Sequence, residues 1–127
     1  MNKDVRYWYN ISKYDIETAQ AMFKACRYLY VLFTCQQALE KIIKAFVTLE
    51  TKKLPPKLHN LLRLAELANL NFDEEEKKFL EKLNYYYLET RYPEYKEKVA
   101  AELSKEIAKK YLVKTKEIWN CLEKKLP

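Results

Sequence analysis

Apolar residues recur at steps of three and four along most of this chain, and no stretch shows the single alternation of a half-buried strand. Val5, Trp8, Tyr9, Ser12, Asp15, Ile16, Ala19, Met22, Phe23 and Cys26 form one such stripe, which predicts an amphipathic helix over about residues 3–24. Two of its members are polar. Asp15 therefore needs a lysine or arginine from a neighbouring helix, or a place at the edge of the interface. A second helix is predicted over about residues 27–50. It carries Leu32, Cys35, Leu39, Ile42, Ile43, Phe46 and Leu49 on one face and Tyr28, Val31, Ala38, Ala45 and Val47 on others. Apolar cover that wide marks a central helix, packed against its own bundle and a second subunit. Gln36, Gln37, Glu40, Lys41 and Lys44 run through it as i,i+4 neighbours. That polar strip is either the solvent face or one wall of a polar cleft.

Pro55-Pro56 ends the second helix and stiffens the connection after it. A short helix over about 57–69 uses Leu58, Leu61, Leu62, Ala65 and Ala68, and Asn69-Leu70-Asn71 breaks it. Asp73 followed by Glu76 is a capping-box pattern that opens a fourth helix, with Phe72, Phe79, Leu80, Leu83 and Tyr86 or Tyr87 on its core side. Pro93 suits the first position of a fifth, whose stripe is Val99, Leu103, Ile107, Tyr111, Ile118 and Leu122. The expected fold is all-α: one domain over residues 1–127, an antiparallel up-and-down bundle of about five helices. Two long helices come first, then two short ones and a long C-terminal one.

Composition narrows the function. No apolar run approaches the roughly 20 residues of a membrane span, and Met1 to Arg6 lead directly into an amphipathic pattern, so the expected location is the cytoplasm, with no membrane partner. The formal charge of +6 biases the surface toward anions. Most lysines are interleaved with glutamates, as from Glu102 to Lys110, which makes a solvated face, and the tight cluster is Lys52, Lys53 and Lys57. The chain has no glycine, which excludes phosphate-cradling loops and dinucleotide fingerprints. A bound nucleotide must be held by side chains and helix ends. Cys26, Cys35 and Cys121 form no CxxC pair and are read as apolar packing residues, with Cys26 and Cys121 in phase with core stripes. One histidine and no Glu-x-x-His pair predict no metal, and no cofactor is expected.

The segment from Asn84 to Tyr95 crowds five of the eleven tyrosines round Arg91. A guanidinium forks onto phosphate or carboxylate, and tyrosine rings offer bases a stacking face. The opposing reading is a helix-end cluster with Arg91 in an internal ion pair. His59, the lone histidine, is read as a capping or inter-helix hydrogen-bonding residue, because nothing in its local spacing supplies a nucleophile.

Trp8, Asp15 and Ala19, the stretch Cys35-Gln36-Gln37-Ala38-Leu39-Glu40-Lys41-Ile42-Ile43-Lys44-Ala45, then His59-Asn60-Leu61 and Tyr87-Leu88-Glu89-Thr90-Arg91-Tyr92-Pro93 occur in an order that resembles the HEPN domain (higher eukaryote and prokaryote nucleotide-binding). The resemblance spans nearly the whole chain. It implies a homodimeric helical bundle, commonly encoded beside a minimal nucleotidyltransferase partner in a two-component or toxin-antitoxin system. Members that cut RNA carry an arginine, four to six intervening residues and a histidine, paired across a dimer cleft. Arg91 matches the arginine, but the histidine positions hold Lys96, Glu97 and Lys98.

Three functions compete. In a nucleotide- or RNA-binding module, Arg91 holds a phosphate, Tyr87 and Tyr92 stack on or border a base, and Gln37, Glu40, Lys41 and Lys44 line the opposite wall. A metal-independent ribonuclease uses Arg91 with Glu97 or Tyr95 as its base. In a structural adaptor, Arg91 pairs with Glu40 or Asp15 and no ligand exists.

Overall fold

The computed structural model describes residues 1–88, 91–92 and 94–127 with their side chains, and residues 89 and 93 by backbone alone. These form six helices and no strand: α1 (Lys3–Lys24), α2 (Tyr28–Thr51), α3 (Leu61–Leu67), α4 (Glu74–Glu89), α5 (Pro93–Glu102) and α6 (Lys105–Lys125). The all-helical bundle is the one the periodicity predicts. Its C-terminal part differs, because the expected fifth helix is two helices. Leu103 turns extended, and the Ser104 side chain accepts the Ile107 N–H at 3.2 Å to start α6. A serine that can satisfy a free amide competes with helix continuation, and here it prevails.

The other ends obey sequence signals. Asn2 caps α1 by accepting the Val5 N–H at 2.9 Å. Asp73 and Glu76 form the reciprocal capping box, at 2.7 and 3.0 Å. Helix α3 is shorter than the apolar spacing predicts, because Asn60 rather than a residue near 57 caps it, accepting from Leu62 and Arg63. Residues 52–60 therefore form an irregular connection, and His59 lies in it.

Helix α2 is the axle of the bundle and touches α1, α3, α4, α5 and α6. Leu32, Leu39, Ile42 and Ile43 on it are enclosed, joined by Leu61, Leu64, Leu80, Leu83 and Leu122 from the surrounding helices. Removing each such side chain from water stabilises the fold by roughly 1.5–3 kcal/mol. Tyr9, Ser12 and Trp119 tie α1 to α6: Trp119 Nε1 donates to Ser12 Oγ at 3.2 Å, and Tyr9 stacks on the indole. The Tyr9 hydroxyl donates to Glu123, and this bond to a carboxylate, more than burial, pushes the phenol up to about 12.

Among the described residues, three take left-handed backbone conformations that glycine normally supplies: Cys26, Lys52 and Asn69, with φ of 60°, 59° and 54°. In each, the Cβ crowding costs about 1–2 kcal/mol. Cys26 is thus a turn residue, and Cys121 is exposed as well, so neither fills the core as their stripe phase suggested. Cys35 does, and burial pushes its thiol up to about 12. No helix among the described residues is long and apolar enough to cross a membrane.

Candidate functional site

The polar strip of α2 is not a solvent face. Its i,i+4 spacing stacks the side chains along the helix, and α1 closes over them from one side. Glu40, 1% exposed, receives Lys44 Nζ at 3.1 Å, Lys41 Nζ at 3.5 Å, Gln36 Nε2 at 3.3 Å and His59 Nδ1 at 3.0 Å. Gln36 directs its second amide hydrogen to the His59 carbonyl at 2.9 Å, and its oxygen accepts from Gln37 at 2.7 Å. Lys41 closes the chain by donating to Gln37 at 2.8 Å. Every polar atom of this network that lies deep has a partner, as burial requires.

Charge decides its ionisation. Burial alone would push the Glu40 carboxyl up, but the charges of Lys41 and Lys44, with the hydrogen bonds from His59 and Lys44, overcome it and hold the group below the ordinary range. Asp15, half-buried on α1, goes the other way. Burial pushes it up, Lys41 offsets part of this, and the Glu40 charge adds to it. The Lys44 ammonium also lies 5.3 Å from the centre of the Trp8 ring, a cation-π contact from α1.

His59 carries the network outward. Asn84 on α4 accepts the Leu61 N–H at 3.0 Å and donates to Asn60 at 3.2 Å, pinning the start of α3 to α4. That clamp sets the His59 ring against Tyr87, centroids 5.4 Å apart, while Phe33 stacks on the same tyrosine at 5.6 Å. The Arg91 guanidinium lies 5.6 Å from the Tyr87 centroid. Tyr87 is only 8% exposed. It is therefore a floor that carries His59 and Arg91, and not the open stacking face expected from sequence. Burial first, then the Glu40 charge, pushes its phenol up, and Arg91 offsets this.

Arg91 itself is exposed, in the turn between α4 and α5, and makes no ion pair with Glu40, Asp15 or any other carboxylate among the described residues. The His59 side chain is 48% exposed, with Nδ1 committed to Glu40. Tyr92 is exposed and packs edge-on against Tyr95 at 6.4 Å, outside the connected cluster. Five to seven residues beyond Arg91, Lys96 donates to the Tyr30 hydroxyl at 2.6 Å and lies over that ring, while Glu97 and Lys98 are exposed. Neither Tyr95 nor Glu97 shares a hydrogen bond with Arg91 among the described residues, and Thr90 lies outside them.

The structure thus joins Arg91, Tyr87, His59, Glu40, Lys41, Lys44 and Gln37 through Gln36, and leaves Tyr92 apart. Trp8, which periodicity placed in the stripe of α1, and Phe33, which no sequence signal singled out, are additions. Asn84, at the head of the tyrosine run, is another, and an asparagine late in an apolar helix face was its one available signal. No group of His, Cys, Asp and Glu side chains that could hold a metal ion occurs among the described residues.

An all-helical bundle with a buried carboxylate-lysine network opening onto an arginine defines the class of protein. A model of the HEPN domain matches residues 5–125, and the chain belongs to that family. It is similar to the crystal structure of TT1696 from Thermus thermophilus, with 25% identity and a TM-score of 0.79, over 99% of this chain and 100% of that one. Among curated proteins there is no match.

Replacing Glu40 with glutamine leaves two lysines without their counter-charge in a buried place and is expected to destabilise the protein by about 3–5 kcal/mol at neutral pH. Because the folded-state pKa of Glu40 is depressed, its stabilisation is full above the unfolded value and is lost as pH falls through the folded one. Urea denaturation across pH checks this: the gap between wild type and Glu40→Gln should narrow toward acid, and a constant gap would show that ionisation of Glu40 contributes nothing.

Proposed function

We propose that this protein binds the phosphate of a nucleotide or RNA at Arg91, as a cytoplasmic homodimer that works with a minimal nucleotidyltransferase in a two-component or toxin-antitoxin system. The observation that carries the reading is the exposed Arg91 guanidinium, unpaired with any carboxylate among the described residues and held on the same ring as half-exposed His59. Behind it, Lys41 and Lys44 face Glu40 and Asp15, so that with Arg91 three cations stand against two carboxylates. A phosphate supplies the missing negative charge, and a guanidinium engages it through two parallel hydrogen bonds. Tyr92 is exposed enough to border a base. Family membership supports the nucleotide class of ligand and the nucleotidyltransferase partner. Leu88, Tyr92 and Tyr95, exposed around Arg91, are apolar surface that a second subunit would cover.

Calorimetric titration with mono- and triphosphate nucleotides tests the site. Arg91→Ala should weaken binding by about 10- to 100-fold, the worth of hydrogen bonds to a charged group. Unchanged affinity in the variant, or none in wild type, removes Arg91 from the site. Light scattering should give twice the monomer mass of 15.4 kDa; a monomer at all concentrations refutes the dimer.

One observation favours metal-independent RNA cleavage as a second reading. Glu40 fixes His59 through Nδ1, as a general base is oriented, and leaves about half of the ring side chain exposed. His59, from the α2–α3 connection, then takes the place sequence reasoning gave to Glu97 or Tyr95. It would accept the 2'-hydroxyl proton as that oxygen attacks phosphorus, and the partner subunit's histidine would protonate the departing 5'-oxygen. A labelled RNA oligonucleotide incubated with chelator should yield cyclic phosphate ends with wild type and stay whole with His59→Ala. RNA left intact by wild type from acid to alkaline pH ends this reading and leaves binding untouched.

A further inference from the structure

Helices α4 and α6 run beside each other without close approach of their backbones among the described residues, although both pack on α2. Aromatic side chains bridge the gap. Phe79 stacks on Tyr111 at 5.3 Å, Tyr86 meets Tyr111 edge-on at 5.7 Å, and Tyr85 meets Tyr86 edge-on at 5.5 Å. The result is a groove of about 750 Å³ floored by Phe79 and Tyr111, with an adjoining hollow of about 430 Å³ at Tyr85 and Tyr86. It shares no residue with the Arg91 cluster.

The rims are basic. Lys78 and Lys82 stand on the α4 side and Lys109, Lys110 and Lys114 on the α6 side. Lys114 alone of these makes an ion pair among the described residues, with Glu75 at 4.0 Å. Glu106 and Glu117 also face the groove, so five lysines stand against three glutamates there, with Glu81 beside the smaller hollow. Tyr85 is 57% exposed, which a tyrosine packed for stability alone does not require. Lys78, Lys82 and Tyr85 succeed one another at helical spacing on one face of α4, so two cations lead along a line to an exposed ring. From Glu75 to Tyr86 that line is about 16 Å long at the rise of an α-helix. Charged rails beside a row of aromatic rings are how single strands are gripped without reading sequence: the backbone tracks the cations, and bases lie on the rings. An acidic peptide would use the lysines but leave the exposed ring of Tyr85 without a flat partner.

We propose that the α4–α6 groove is a second binding surface, for a short run of single-stranded nucleic acid, with Lys78, Lys82 and Lys110 on phosphates and Tyr85 and Tyr86 against bases. It is independent of the Arg91 site and can stand or fall without it.

Anisotropy of a fluorescein-labelled single-stranded oligonucleotide tests it on the whole protein, with thermal melts to show that each surface variant stays folded. Lys82→Glu combined with Lys110→Glu should weaken binding at least tenfold and flatten its salt dependence, as loss of phosphate contacts does. Tyr85→Ala should weaken it by roughly tenfold, the scale of one lost base stack. Neither change should alter binding of a mononucleotide, which Arg91→Ala weakens. Oligonucleotide affinity that ignores all the groove variants overturns the proposal while leaving the Arg91 reading intact. Groove-dependent binding without any mononucleotide affinity does the reverse. Polyglutamate bound as tightly as the oligonucleotide, and lost in the same variants, would assign the groove to acidic protein segments and overturn the nucleic-acid assignment.

Discussion

A carboxylate in the middle of an apolar helix bundle must be surrounded by donors or cease to be charged, and the surroundings of Glu40 are organised by that requirement. Four donors converge on it from two segments of chain, three from α2 itself and one from the connection before α3. A charge taken out of water carries a desolvation penalty that Coulomb attraction offsets only with good geometry and full hydrogen bonding. Those demands leave α2 little rotational freedom. They also hold His59 in an irregular stretch that apolar packing alone would not position.

The same network separates what is fixed from what is available. Lys44 is buried beneath Trp8, Lys41 is bound between Glu40 and Gln37, and Tyr87 is covered by Phe33. Arg91 and the outer half of His59 remain accessible, and both rest on Tyr87. Rigid support beneath two accessible hydrogen-bonding groups is the arrangement that keeps reorganisation small when an anion arrives.

Much of the fold was legible because the helices carry strong local signals. The Asp73–Glu76 box and the stripe of α1 read directly from spacing, and α2 announced its central place by being apolar on more than one face. The misreadings have a common origin. Ser104 and Asn60 act through a single side chain bonding to its own backbone, so periodicity passes over them. At the site, Arg91 and the α2 strip were visible as unusual residues in unusual company. That His59 joins them was not, since nothing in the spacing of residues 40, 59 and 87 reports that one ring nitrogen meets a carboxylate and the ring meets a tyrosine. Tyr92 lies beside Arg91 in sequence, yet the turn carries it away toward Tyr95.

The left-handed residues at Cys26, Lys52 and Asn69 have an effect on the denatured chain as well as on the native one. A polypeptide without glycine has fewer backbone states to lose on folding, which favours the native form. Each strained corner opposes this by an amount of the same order. Inserting glycine at one of these corners would relax the fold and loosen the coil together, so the sharp bends in this backbone are held near neutrality by two opposing effects of similar size.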